Sequence, residues 1–161
     1  MGLTVRSAGF EDADALCQMM SSLQALHAEA LPALFKPSDP IYYTPANVLV
    51  RLARPSGIWF IAHVDGSPAG YIYLTVHDHN ESVTRHRIHM LYVEHIFVAE
   101  SFRRYGVGAA LIAEARKVAN ERGISLGLDV WSFNQQALNF FDQQGFKTIR
   151  EILFFEQEPT K

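Results

Sequence analysis

Val98-Ala99-Glu100-Ser101-Phe102-Arg103-Arg104-Tyr105-Gly106-Val107-Gly108-Ala109 is the stretch on which the reading of this 161-residue chain turns. A β-branched, apolar run ends at Val98, two arginines and two glycines follow, and Leu111, Ala115 and Val118 then recur at helical spacing. Strand, basic turn and helix N-terminus in that order make an anion site. The first amides of a helix have no intrahelical partner, glycine lets a ligand approach the backbone, and successive N–H groups chelate phosphate oxygens. Glycine inside a helix costs about 1 kcal/mol relative to alanine, so the pair needs a reason, either phosphate binding or tight packing of helix on strand. A Walker loop is excluded because no Lys-Ser/Thr follows the glycines, and a dinucleotide fingerprint because position 111 is leucine.

Working outward, Ile88 to Val98 reads as a strand and the helix after it ends at Arg122-Gly123, with a cation in the last turn and glycine just beyond. Ile124 to Trp131 returns to strand, Asn134 to Gln144 is a short helix closed by Gly145, and Phe146 to Phe155 is a final strand. Upstream, Ile58 to Val64 and Tyr71 to Val76 flank Asp65-Gly66 as a hairpin, and His77 to His86 is a polar loop. Thr4 to Ala8 forms a first strand. Ala13, Leu16, Met20, Leu23 and His27 mark one face of a helix whose start is favoured by Glu11 and Asp12. Prolines 32, 37, 40 and 45 break the next stretch into an aromatic loop, and Thr44-Pro45 caps a short helix over Ala46 to Ala53. The order β-α-α-β-β-β-α-β-α-β implies one mixed α/β domain over residues 1–161, with a parallel neighbour pair inside a mostly antiparallel sheet.

Composition narrows the function. With 48% apolar and 19% charged residues the chain can build a core, and fourteen Lys plus Arg against seventeen Asp plus Glu leave no broad basic face for nucleic acid. No apolar run approaches the roughly 20 residues of a membrane-spanning helix. The lone Cys17 allows no internal disulfide, so a cytoplasmic location is expected, and beside Leu16 and Met20 it reads as a buried small hydrophobe. His77, His79, His86, His89 and His95 are read as a solvated, His-rich region near the acceptor entrance, with no metal expected.

Arg103-Arg104-Tyr105-Gly106-Val107-Gly108 resembles the Arg/Gln-x-x-Gly-x-Gly/Ala motif of the GNAT acetyltransferase superfamily, and Tyr92 to Val98 resembles the strand that precedes it there. Asn134-Gln135-Gln136-Ala137, followed by Phe140-Phe141 and Gly145-Phe146, is similar to the family's Asn-x-x-Ala, aromatic, Gly-Phe signature. The resemblance implies a sheet of six to seven strands flanked by about four helices, with acetyl-CoA in the gap between splayed parallel strands, Leu91 to Val98 and Ile124 to Trp131. Ile96, Phe97 and Val98 would pair with the pantetheine amides as if the cofactor were an extra strand. The pyrophosphate would sit on the amides of Arg103, Arg104, Tyr105, Gly106, Val107, Gly108 and Ala109, and Asn134 would bond the cofactor's arm.

Acetyl transfer to an amine needs a neutral amine, a polarised thioester carbonyl and a proton for the thiolate. Glu94, a carboxylate inside an apolar strand, is the candidate for the first, and it resembles the glutamate of the superfamily's polyamine acetyltransferases; the competing reading is a carboxylate paired with Arg or His. Period two would put Tyr92, Glu94, Ile96 and Val98 on one face. A strand distortion near Phe97 would aim a backbone N–H at the carbonyl. Phe141 stands where many members carry a tyrosine acid, so packing against the pantetheine is expected of it instead, with Tyr92, Tyr105 or water as donor. Tyr42 and Tyr43 are expected beside the acceptor, with Glu29 or Asp39 meeting a cation. The reading is an N-acetyltransferase acting on a primary amine of a small molecule or peptide end. A non-catalytic acyl-CoA-binding module and a protein N-acetyltransferase are the alternatives, and pairing of two copies through the edge Ile149 to Phe155 is expected to give a homodimer.

Overall fold

The computed structural model describes residues 2–154. The chain divides into two compact units, Met1–Asp129 and Val130–Lys161. In the first, β1 (Leu3–Ser7), β2 (Ile58–Val64), β3 (Ser67–His79), β4 (Ile88–Val98) and β5 (Ser125–Leu128) form one sheet in the order β1-β2-β3-β4-β5. All neighbours are antiparallel except β4 and β5, which run parallel. This is the mixed α/β class with a central parallel pair expected from the sequence, built on five strands rather than six or seven.

Helices α1 (Ala13–Ala30) and α2 (Pro45–Leu52) cover one face, where Leu16, Cys17, Met20 and Val48 bury against Trp59, Ile61 and Tyr71. Cys17 is a buried member of this core. Helix α3 (Val107–Arg122) covers the other face through Val107, Leu111, Ile112, Ala115 and Ala119. The start of α1 is fixed by Asp12, whose carboxylate accepts both Arg6 guanidinium nitrogens at 2.7 and 2.8 Å and the Gly9 amide at 2.8 Å. Thr44 caps α2 as its position before Pro45 predicts, its hydroxyl accepting from the Asn47 amide at 3.2 Å.

Two departures matter for function. The segment expected as a loop from His77 is still strand, because β3 pairs with β4 as far as His79 opposite Ile88. The β3–β4 register also slips by one residue: Tyr73 pairs with His95 and Leu74 with Val93, so Glu94 is the unpaired residue of a β-bulge.

In the second unit, α4 (Gln135–Gln143) is capped by Asn134, whose Oδ1 accepts the Ala137 amide at 3.0 Å. The buried Phe141 ring meets Phe140 and Phe146 edge-on at 5.1 and 5.6 Å. The expected final strand does not form over the described residues 146–154. Ile149, Ile152, Leu153 and Phe154 are all exposed, so no neighbour rewards the pairing, and the dimer edge proposed there is not a strand. Phe155 lies outside the described residues.

Candidate cofactor and acceptor site

The parallel ladder holds four pairs, Met90 with Ser125 through Val93 with Leu128, and then stops. Strand β4 continues to Val98 while β5 ends, so the edge from Glu94 to Val98 has no strand beside it among the described residues. Backbone N–H and C=O groups along such an edge need a partner, and an extended diamide chain supplies one. Ile96, Phe97 and Val98 lie on this edge. Their opposite side is held close to β3 at Gly70, where an added Cβ would lie 2.6 Å from the Phe97 carbonyl oxygen.

The strand leads directly into the anion loop. A 3-10 turn over Glu100–Phe102 is followed by Arg104 at φ 65° and Gly106 at φ 80°, both left-handed. The first helical bond runs from the Ala110 amide to the Gly106 carbonyl, which leaves the amides of Val107, Gly108 and Ala109 without an intrahelical acceptor. An arginine held at positive φ costs about 1 kcal/mol, and such strain collects at functional sites. Arg103 turns back instead, its Nε 3.5 Å from the Val98 carbonyl. Glycine at 106 answers to backbone rather than to space, since the nearest atom to an added Cβ is Leu3 Cδ2 at 3.9 Å.

The bulge decides where Glu94 points. Tyr71, Tyr73, Thr75 and His77 alternate along one face of β3; Tyr71 meets the His95 and Phe97 rings, and His77 and Thr75 both bond Glu94. Tyr92, Glu94, His95 and Phe97 therefore share the face under α1 and α2, whereas Ile96 and Val98 lie on the other. The expected common face of all four even-numbered residues is thus broken by the extra residue. The strand distortion itself sits at Glu94, not near Phe97.

Glu94 is about a third exposed and is held from one side only. Its Oε1 accepts the Thr75 hydroxyl and lies 2.9 Å from His77 Nε2, while Oε2 makes no hydrogen bond among the described residues. His77 stacks on Tyr92 with ring centroids 4.3 Å apart and planes 9° from parallel. The sequence singles out Glu94 as a carboxylate that acts on an amine or pairs with Arg or His, and the structure shows the pairing with His77; Thr75 and His77 were not singled out as its partners. The signal was present, since the alternation Tyr71, Tyr73, Thr75, His77 continues past the point where the strand was ended.

The same face carries polar atoms with no hydrogen-bond partner among the described residues: Trp59 Nε1, Tyr71 Oη and His95 Nδ1. Burial holds His95 down at about 4, helped by the charge of Arg51 and opposed by Glu94, so its imidazole is neutral around pH 7. Beyond it, Tyr43 donates to Gln24 Oε1 at 3.2 Å, and Arg51 bonds the Tyr42 hydroxyl. The Asp39 Oδ1 offered for a cation accepts the Ile41 amide at 2.8 Å and builds the turn. The charge present beside Tyr42 is that of Arg51. A groove of about 480 Å³ between α1 and this loop is lined by Cys17, Gln18, Ser21, Ser22, Ser38, Pro40 and Tyr43. In the second unit, the cap leaves the Asn134 amide nitrogen as the side-chain group for a ligand, and Phe141 offers only a ring.

Comparison with known proteins bears on the family and the fold. The chain is 33% identical over 106 residues to a protein of Lactobacillus delbrueckii subsp. lactis named as an uncharacterized N-acetyltransferase, covering 65% of this chain and 60% of that one. It is 28% identical to an N-alpha-acetyltransferase of Sulfurisphaera tokodaii, covering 63% and 64%. The chain thus spans about three fifths of the length of these curated relatives. Among solved structures, a tetramutant of the BH1408 protein from Bacillus halodurans matches with a TM-score of 0.87 at 16% identity, covering 96% of this chain and 99% of that one. The aminoglycoside N-acetyltransferase AAC(6')-Iy in complex with CoA matches with a TM-score of 0.73 at 18% identity, covering 98% and 96%. These two likenesses concern the fold. The family model described as "Acetyltransferase (GNAT) family" matches residues 20–146, and the chain belongs to that family.

Proposed function

We propose that this chain is an acetyl-CoA-dependent N-acetyltransferase that transfers the acetyl group to a primary amine of a small molecule or a peptide end. The observation that carries the reading is the juxtaposition, on one strand, of an unpartnered β4 edge leading into an anion loop and a carboxylate with one bare oxygen at the head of that edge. When bound, acetyl-CoA supplies a thioester whose acyl carbon accepts the amine's lone pair as the C–S bond breaks. The residues of this chain do the rest. Ile96, Phe97 and Val98 pair with the pantetheine arm through their backbone, and the amides from Arg103 to Ala109 hold the pyrophosphate, with the Arg103 and Arg104 charges beside them. Within the second unit, Asn134 offers its amide nitrogen and Phe141 its ring as further ligand contacts.

Glu94 Oε2 takes the proton of the incoming ammonium and so frees the lone pair that attacks. The proton for the departing thiolate comes from water or a tyrosine hydroxyl, because the Phe141 ring has none to give. A thiol of pKa about 8.5 leaves tolerably near neutral pH without a dedicated acid. The names of similar proteins, an N-alpha-acetyltransferase and an aminoglycoside N-acetyltransferase, both describe transfer to an amine and support that class of acceptor. Thiol release from acetyl-CoA with an amine panel tests the reading. Tight cofactor binding with no thiol release across the panel favours a non-catalytic acyl-CoA-binding module instead.

A further inference from the structure

We propose that His77 is the positioning residue of the Glu94 base: together with Thr75 it pins Oε1, so that Oε2 is presented bare and in one orientation to the acceptor amine. This rests on the reading of Glu94 as the base. An unrestrained glutamate on a strand samples several rotamers, and a base must stand within hydrogen-bond reach of the proton it takes. Here both donors fall on the same oxygen. The imidazole that supplies one of them is itself fixed, lying face to face on Tyr92 at 4.3 Å. The bulge completes the arrangement, because it takes Glu94 out of the β3–β4 pairing and turns it to the face on which Thr75 and His77 stand. An ordinary surface ion pair requires neither the bulge nor the stacked ring, and neither leaves one carboxylate oxygen systematically empty.

The test compares wild type with His77→Ala, His77→Gln and Glu94→Gln, on an amine that the wild type acetylates, between about pH 5.5 and 9.5. His77→Ala should lower kcat by about tenfold with the KM for acetyl-CoA unchanged. His77→Gln keeps an N–H donor, so it should recover most of the rate lost in His77→Ala. A kcat for His77→Ala within about twofold of wild type overturns the proposal. Full activity in Glu94→Gln removes the base reading itself, whereas a dead Glu94→Gln beside an unaffected His77→Ala removes only the role of His77. A second readout needs no turnover. The His77 side-chain N–H, followed by NMR, should exchange with solvent more slowly in wild type than in Glu94→Ala, and equal exchange overturns the contact.

Discussion

Val93 and Leu128 form the last pair of the parallel ladder, and from the next residue β4 runs on to Val98 paired with β3 on one side and with no strand on the other among the described residues. Pairing in this sheet is thus interrupted where a ligand's amides would replace a strand. Hydrogen exchange measures that replacement directly. On adding acetyl-CoA, those amides between Glu94 and Val98 that do not already bond β3 should slow, while those of Met90 to Val93, already between β3 and β5, should not change. Equal protection along the whole strand would mean general tightening rather than strand-like pairing.

The anion loop predicts a separation between binding and stability. Gly106→Ala meets no atom closer than Leu3, so its cost is the positive φ, about 1 kcal/mol of stability, together with a tilted set of amides and weaker CoA binding. Arg104→Gly relieves the strained φ of 65° and should leave the melting temperature near wild type, while the lost charge raises the Kd for acetyl-CoA by about tenfold. Calorimetric titration beside thermal unfolding checks both. A Kd unmoved in either variant would exclude the loop from the cofactor site.

Acid lability should trace in part to His95. Its folded value of about 4 lies below the ordinary 6.5, so between these values the unfolded chain binds a proton that the folded chain refuses. The stability this residue contributes is complete above pH 6.5 and is lost as pH falls through that window towards 4, a change of about 3 kcal/mol at most. His95→Phe, which keeps a ring beside Tyr71 and Tyr73, should flatten that part of the stability profile in urea unfolding. An unchanged slope between wild type and variant would contradict the burial of the imidazole.

Asp12 works in the same direction at lower pH. Burial opposes its charge, but the two bonds from Arg6 and the Gly9 amide prevail and hold its carboxyl below the usual range. Its contribution is present at neutral pH and is lost as pH falls through that depressed value. Asp12→Ala should cost about 1–3 kcal/mol at pH 7 by denaturant unfolding, since it leaves the Arg6 guanidinium and the Gly9 amide without their acceptor. A loss below about half a kcal/mol would show that water replaces the carboxylate freely.

The class of fold was legible because its signals are local. The Asp65-Gly66 hairpin, the Thr44-Pro45 cap and the basic, glycine-bearing turn before α3 each act within a few residues, and each forms where its residues place it. Errors arose where distant partners decide. His77 to His79 is polar yet stays in strand because β4 lies alongside, and Phe146 to Phe154 is apolar yet forms none because no neighbour covers it. A bulge is a property of two strands at once, so period two along β4 alone assigned Glu94 and Ile96 to one face when the register puts them on opposite faces. Glu94 itself was legible as a charge inside an apolar strand. Its two donors come from β3, nineteen and seventeen residues away, so the alternation Tyr71, Tyr73, Thr75, His77 marks their common face but not their partner.

The central claim is that Glu94 takes the amine's proton, and thiol release from acetyl-CoA measures it most directly. Wild type and Glu94→Gln are compared on polyamines, aminoglycosides, amino acids and short peptides from about pH 7 to 9. The account predicts saturable release with one acceptor class, reduced by about a hundredfold or more at neutral pH in Glu94→Gln and partly regained at higher pH, where the amine is already neutral. Release in Glu94→Gln equal to wild type across that range would contradict it.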